Sequence, residues 1–287
     1  MPAFSKIALQ LCAKTMAPKR PPWLIAKIAG DLNYRIPIDT RLGNGMPIRV
    51  IWTDLIGSSI CVDGYYDMPS IRAVRQLLQE GMTFIDVGTH VGQYTMLASR
   101  LVGATGAVHG FEPQPDTFAL LNHNIDANEF TNVHLNRCAL GETSSDVQLY
   151  VARPDNIGQS SLRRPQNYSG TALTVPCRRL DDYVEERGIR RVDLIKIDVE
   201  GAELSVLRGA RNILSRAARP HLIIEFWEPF QREYGTSCGE MAAFLKDHDY
   251  RLFWITDGGL IACASGEFRQ AREDTFNVLA IPQGHAG

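Results

Sequence analysis

The sequence predicts an α/β protein: a doubly wound, mostly parallel sheet with a small N-terminal cap. Three observations predict it. From Met82 onward, short apolar runs alternate with amphipathic helical stretches, as when strands are buried on both faces by crossover helices. The junction "TFIDVGTHVGQYTM" passes from strand to helix through two glycines. At 287 residues the chain can bury a sizeable core as one α/β unit.

Composition narrows the class. Lys and Arg number 30 against 32 Asp and Glu, which excludes the basic excess of a general nucleic-acid binder. No apolar run reaches the length of a membrane span. Cys12, Cys61, Cys138, Cys177, Cys238 and Cys263 are scattered, with no CxxC pair and no zinc spacing. Free buried thiols in a reducing cytoplasm are therefore expected.

Residues 1–79 form the expected cap and 80–287 the main domain. Phe4, Ile7, Ala8, Leu11 and Cys12 recur at helical spacing with a slight basic bias. Such a segment packs on the domain, binds a partner or touches a membrane surface weakly. Next come two expected strands, "PIRVIWTD" and "SSICVDGYY", joined near Gly57. The helix "SIRAVRQLLQEG" follows, capped by Ser70 and stopped by Gly81. Then "TFIDVG" is a strand, "GQYTMLASRLVG" a helix, "AVHGFEP" a strand, "PDTFALLNHNIDANE" a helix and "NVHLNRCAL" a strand. The tract "ARPDNIGQSSLRRPQNYSGTA" (152–172) is polar and breaks the rhythm; it is either a lid or an exposed loop. The strand "DLIKIDVEG", the helix "AELSVLRGARNILSR", the strand "HLIIEFWEP", the helix "GEMAAFLKDHD" and the strands "YRLFWIT" and "TFNVLAIP" complete the order. Right-handed crossovers then put the strand C-termini along one ligand-binding edge.

The glycine turn reads Asp86-x-Gly88-x-x-x-Gly92. It lacks the third glycine of a dinucleotide turn and the lysine of a P-loop. Asp86 would repel an anion but would accept a cationic or hydroxyl-bearing ligand. Glu112 ends the next strand, 26 residues on, where a carboxylate suits two ribose hydroxyls. A ribose-bearing, positively charged, phosphate-free ligand fits, and S-adenosylmethionine is one. The competing reading makes Asp86 a turn cap and Glu112 a surface acid.

"FIDVGTHVGQYT" with "GAVHGFEPQPDTFALLNHNI" resembles the Class I S-adenosylmethionine-dependent methyltransferases. "VPCRRLDDYV", "LIKIDVEGAELSVLRGA" and "LIIEF" resemble the FkbM family in particular. The resemblance covers roughly residues 60 to 282. It implies a Rossmann-like sheet of seven strands and methyl transfer mainly to hydroxyls, often on sugars or natural products. It implies that Asp86, Gly88 and Gly92 shape the cofactor loop, that Glu112 holds the ribose, and that the Ala139 backbone lies beside the adenine, with Asn136 a weaker contact. His90 would add a polar contact; Thr89-His90 replaces the family's usual Ala-Asn.

Asp198 and Glu200 close "LIKIDVEG", and Glu225 closes "LIIEF". Side chains two apart share a strand face, and Lys196 shares that of Asp198. The three carboxylates are the catalytic candidates. Asp198 is the base or orients the acceptor, because a hydroxyl is a poor nucleophile until it loses its proton. Glu200 and Glu225 support it, unless Glu200 serves only the following helix dipole. Three carboxylates can also bind Mg²⁺, although nothing else in the sequence requires a metal. His90, His109 and His221 are alternative bases. Arg163, Arg164 and Tyr168 are candidate contacts to a hydroxylated small-molecule acceptor such as a sugar or glycolipid. The reading from another class is a non-catalytic cofactor-binding scaffold. N-methylation is a further alternative, and the Asn/Asp-Pro-Pro-aromatic element of amino methylation is absent.

Overall fold

The computed structural model describes residues 37–151, 160–164, 168, 170–264, 268 and 276–284. The expected helix over residues 4–12 and parts of the 152–172 tract lie outside the described residues. The chain opens with the hairpin β1 (Pro37–Arg41) and β2 (Pro47–Ile51). The expected strand "SSICVDGYY" is instead helix α1 (Leu55–Asp63). Asp54 caps it by accepting from the Gly57 N–H at 3.2 Å. Gly57 is no strand junction: a Cβ there would lie 2.0 Å from the Ile51 carbonyl oxygen, so glycine lets the first turn close on β2. Helix α2 (Met68–Leu77) is capped by Asp67 rather than by Ser70, which lies inside it.

Then β3 (Thr83–Val87), α3 (Gln93–Val102), β4 (Ala107–Phe111) and α4 (Pro115–Ala127) form where the apolar periods place them. The run "NVHLNRCAL" divides into β5 (Val133–Asn136) and β6 (Ala139–Leu140), which join different sheets. Strands β7 (Ser145–Tyr150) and β8 (Ala172–Arg178) pair with each other, and β6 joins β8 to make a three-stranded side sheet. After α5 (Leu180–Glu186) comes β9 (Leu194–Ile197), two short helices α6 (Glu203–Arg208) and α7 (Arg211–Leu214), and β10 (His221–Phe226). Helices α8 (Glu228–Glu233) and α9 (Cys238–Asp247) precede β11 (Tyr250–Thr256), β12 (Gly259–Ala262) and β13 (Phe276–Pro282).

The main sheet runs β12-β11-β13-β10-β9-β3-β4-β5. Among the described residues it has eight strands, not the expected seven, and it is mixed. The pairs from β10 to β5 are parallel, whereas β13 runs against both neighbours and β12 against β11. The eighth strand turns back from β11 over Asp257–Gly258, a return the sequence reading did not separate from its loop. The order reverses between β3 and β9, so the switch point lies at the end of β3.

Alternation along the strands builds two apolar layers. Ile85 and Val87 face a cluster with Tyr183, Leu207 and Met241. Phe84 faces the other way, into a cluster with Val50, Ile60, Met96 and Leu121. That second face also receives Asp86 and Lys196, which are register partners on β3 and β9. No helix among the described residues is long and apolar enough to cross a membrane. Cys61, Cys138, Cys177, Cys238 and Cys263 are free thiols, and Cys12 lies outside the described residues.

Candidate functional site

The loop after β3 is built on three left-handed residues: Gly88 (φ 85), His90 (φ 52) and Gly92 (φ 96). Gly88 is required by packing as well as by its dihedral. A Cβ there would lie 1.8 Å from the Asp198 carbonyl oxygen. At Gly92 a Cβ would lie 2.7 Å from Leu121 Cδ1. The N–H groups of Gly88 and Thr89 both donate to the Phe111 carbonyl, at 3.0 and 3.1 Å. The Thr89 hydroxyl donates within reach of the Asp86 and Phe111 carbonyls, both at 3.1 Å. Thr89 therefore staples the loop to β4.

Glu112 is 8% exposed and receives two backbone donors. The His90 N–H reaches one oxygen at 3.0 Å and the Gln114 N–H the other at 2.9 Å. Burial pushes the Glu112 carboxyl up to about 7, against those two bonds. Asp86 is fully buried. Thr95 Oγ1 donates to its Oδ2 at 2.7 Å, while its Oδ1 has no hydrogen-bond partner. Burial raises the Asp86 pKa more than nearby Lys196 lowers it. Burial also lowers the His90 pKa, although its Nε2 lies 3.8 Å from Asp54 Oδ2.

One cleft at the strand C-termini gathers Gly88, His90, Glu112, Ala139, Asp198 and Glu200, all expected from the sequence. Asp86, Gly92 and Glu225 are not among the residues that line it. Leu140, Leu149, Leu162 and Val199 supply an apolar wall. An acid for hydroxyls, an unpartnered carboxylate oxygen below the loop and an apolar slot suit a ribose, an ammonium and a flat ring. The residues present therefore fit S-adenosylmethionine. When bound, it supplies an electrophilic methyl carbon. Among the described residues no three His, Cys, Asp or Glu side chains are grouped to hold a metal ion.

The acids beyond β9 are arranged differently from the expectation of shared strand alternation. Strand β9 ends at Ile197, and Asp198–Gly201 is a turn with Glu200 left-handed (φ 55). The turn is held by Glu203, which sequence reasoning missed. Its Oε1 accepts from the N–H groups of Val199 (2.9 Å) and Gly201 (3.2 Å), and Gln231 donates to its Oε2. Glu203, rather than Glu200, stands in the first turn of α6. Burial raises the Glu203 pKa to about 6.

Lys196 is buried and donates to Asp198 Oδ2 at 2.7 Å. Its ammonium also lies 4.6 Å from the centre of the Tyr94 ring. Burial lowers the Lys196 pKa, but Asp198 and Asp86 outweigh it and the net shift is upward. Glu200 and Glu225 are pushed well above the carboxylate range, first by burial and then by Asp198.

The polar tract contributes to one wall. Tyr234 accepts the Leu162 N–H at 2.8 Å and meets Ser161 Oγ at 3.1 Å, holding Ser160 and Leu162 over the cleft. Arg163 and Arg164 are exposed. The Tyr168 hydroxyl is taken up by the Val151 and Thr171 carbonyls. His109 is buried with Nδ1 2.9 Å from the Tyr183 hydroxyl, and His221 begins β10, at the sheet edge away from Asp198.

Residues 86–252 match the family described as the methyltransferase FkbM domain, more than half of the chain. The chain is 27% identical over 181 residues to Methyltransferase 1 of Beauveria bassiana, covering 57% of this chain and 69% of that protein. It is 30% identical over 144 residues to the hexuronic acid methyltransferase AglP of Haloferax volcanii, covering 50% of this chain and 56% of AglP. It is 27% identical over 119 residues to the 2-O-methyltransferase NoeI of Sinorhizobium fredii, covering 37% of this chain and 48% of NoeI. With the family matched across the glycine turn, both acids and the Asp198 turn, the chain is a member of the FkbM family of S-adenosylmethionine-dependent methyltransferases.

Proposed function

We propose that the protein is an O-methyltransferase that modifies a hydroxyl of a sugar, glycolipid or natural-product-type small molecule in the cytoplasm. The observation that carries this reading is the Lys196–Asp198 pair, in which Asp198 lines the cleft and Lys196 is buried. Lys196 engages one carboxylate oxygen; the second can take the acceptor's hydroxyl hydrogen. Methyl transfer is an in-line displacement, so much of the acceleration comes from holding the acceptor oxygen in line. Asp198 orients that oxygen and receives its proton as the new bond forms. The neighbouring carboxyls of Glu200 and Glu225 favour their neutral forms, which keeps further negative charge away from Asp198 and leaves them able to donate hydrogen bonds.

In this reading Glu112 holds the ribose hydroxyls, Asp86 answers the positive amino-acid end, and Gly88, His90 and Gly92 carry the loop between them. Ala139 lies against the adenine. Residues 1–79 act as a cap on the acceptor side, with at most weak membrane-surface contact through the N-terminus. The names of AglP and NoeI, a hexuronic acid methyltransferase and a 2-O-methyltransferase, support a sugar-like acceptor.

Asp198→Asn tests the role. Turnover is expected to fall roughly 10²-fold or more, while cofactor affinity by calorimetry is retained. Full turnover in the variant contradicts it. Cofactor binding by the wild type without turnover on any hydroxylated pool favours a scaffold instead.

A further inference from the structure

The proposed mechanism leaves unused a set of polar groups where the α1–α2 turn meets the ends of β10 and β13. Asn277 stands opposite Glu225 in antiparallel register, so both side chains leave the same face of the sheet. Asn277 Nδ2 donates to Asp67 Oδ2 at 2.8 Å, and the Tyr94 hydroxyl donates to the same oxygen at 2.8 Å. That bond fixes which way the amide points. Its Oδ1 is then turned from Asp67, sealed from bulk solvent and without a hydrogen-bond partner. Glu200 Oε2, on the lining of the cleft, is in the same condition. A buried acceptor without a donor is costly, so it is normally satisfied by something. The Asn277 Oδ1 has no donor within the protein and lies on the β13 side of Glu225, whose strand has β9, the strand leading into Asp198, on its other side.

The turn that orients Asn277 is rigid. Asp67 is left-handed (φ 56), a conformation that a non-glycine residue keeps only where its surroundings hold it. Gln93 clamps the preceding residue from both sides, accepting the Tyr66 N–H at 3.0 Å and donating to its carbonyl at 3.1 Å. Burial pushes the Tyr66 phenol pKa up, and Asp198, Glu225, Asp67 and Glu200 push it the same way, as neighbours do. Strand β10 separates β9 from β13, so the Asp198 and Asn277 backbones are about 10 Å apart. A six-membered ring with hydroxyls on opposite sides can bridge two side chains across such a gap.

We infer that Asn277 is an acceptor-binding residue: its Oδ1 takes a hydrogen bond from a second, non-reacting hydroxyl while Asp198 holds the reacting one. The acceptor is then a polyol of sugar type and not an isolated alcohol. This rests on the O-methyl reading above.

The test uses labelled S-adenosylmethionine with p-nitrophenyl hexosides and their singly deoxygenated analogues. For the wild type, deleting the non-reacting hydroxyl lowers kcat/KM roughly tenfold. Asn277→Ser lowers the parent's kcat/KM by a similar factor and no longer distinguishes parent from analogue. Its cofactor Kd stays at the wild-type value, which separates a subsite role from a folding defect. A wild type that treats every deoxy analogue like its parent overturns the inference without any variant. So does an Asn277→Ser enzyme that still discriminates. If the wild type methylates other alcohols but no hexoside, the inference falls and the O-methyl reading stands. If label reaches no oxygen at all, the reading of function falls with it.

Discussion

At Gly88, one hydrogen atom in place of a side chain lets two parts of the site share the same space. The Asp198 carbonyl occupies the volume that a Cβ would fill. Gly88→Ala is therefore expected to destabilise the protein by at least about 2 kcal/mol, from the left-handed dihedral and the clash together. Urea unfolding measures this, and a variant of wild-type stability contradicts the packing argument. Glu112 makes a prediction about pH. Its folded pKa of about 7 is above the ordinary carboxylate value, so the folded state holds the proton more tightly than the unfolded chain. Stability without cofactor should fall as pH rises from about 4.5 to about 7, and Glu112→Gln should flatten that decline. Ribose hydroxyls favour the ionised acid, so cofactor affinity should rise through the same window. Calorimetry in buffers of different ionisation enthalpy would register the proton release. A pH-independent affinity between 5 and 8 contradicts it.

Sequence spacing revealed these residues because each sits in a short local pattern. Asp67 and Asn277 were not legible. They are 210 positions apart, and only the antiparallel placement of β13 beside β10 brings them together. Glu203 was passed over for Glu200, because the chain leaves strand geometry at Asp198 and alternation no longer indicates which acid faces where.

At the scale of elements, turn geometry separates structural positions from the site. Among the described residues, five non-glycine residues are left-handed: Asp67, His90, Glu129, Glu200 and Asp249. Glu129 and Asp249 each lie just past a helix end, where such a residue closes the last turn. Asp67, His90 and Glu200 instead belong to the loops around the cleft. The strand-to-helix alternation was readable wherever an apolar period ran for a full element. It failed at α1, where a nine-residue stretch with apolar residues at mixed spacing resembled a strand. It also failed at β7 and β8, whose alternation lies beside a polar tract. That tract is tied to the site through one hydroxyl. Tyr234→Phe removes the acceptor for Leu162 N–H and the contact to Ser161. Acceptor KM should rise several-fold with at most about 1.5 kcal/mol lost in stability. An unchanged KM would show that Ser160 and Leu162 are not a wall of the acceptor site.

At the scale of the molecule, the sheet does two jobs. Its reversal between β3 and β9 opens the cleft, and its mixed end sets Glu225 of β10 opposite Asn277 of β13. One face buries Asp86 and Lys196 as register partners, so a buried ammonium holds one oxygen of Asp198 from beneath. The parallel half of this arrangement followed from the alternating pattern. The eighth strand and the side sheet did not, because both depend on short pairings with weak local signals. The most direct measurement is the fate of the methyl group. The enzyme is incubated with ¹³C-methyl S-adenosylmethionine and a pool of hydroxylated metabolites, and the product is read by NMR. The account predicts a new O–CH₃ ether that appears with the wild type and disappears with Asp198→Asn while cofactor binding persists. A label on nitrogen or carbon, or an ether formed equally well by the variant, would contradict it.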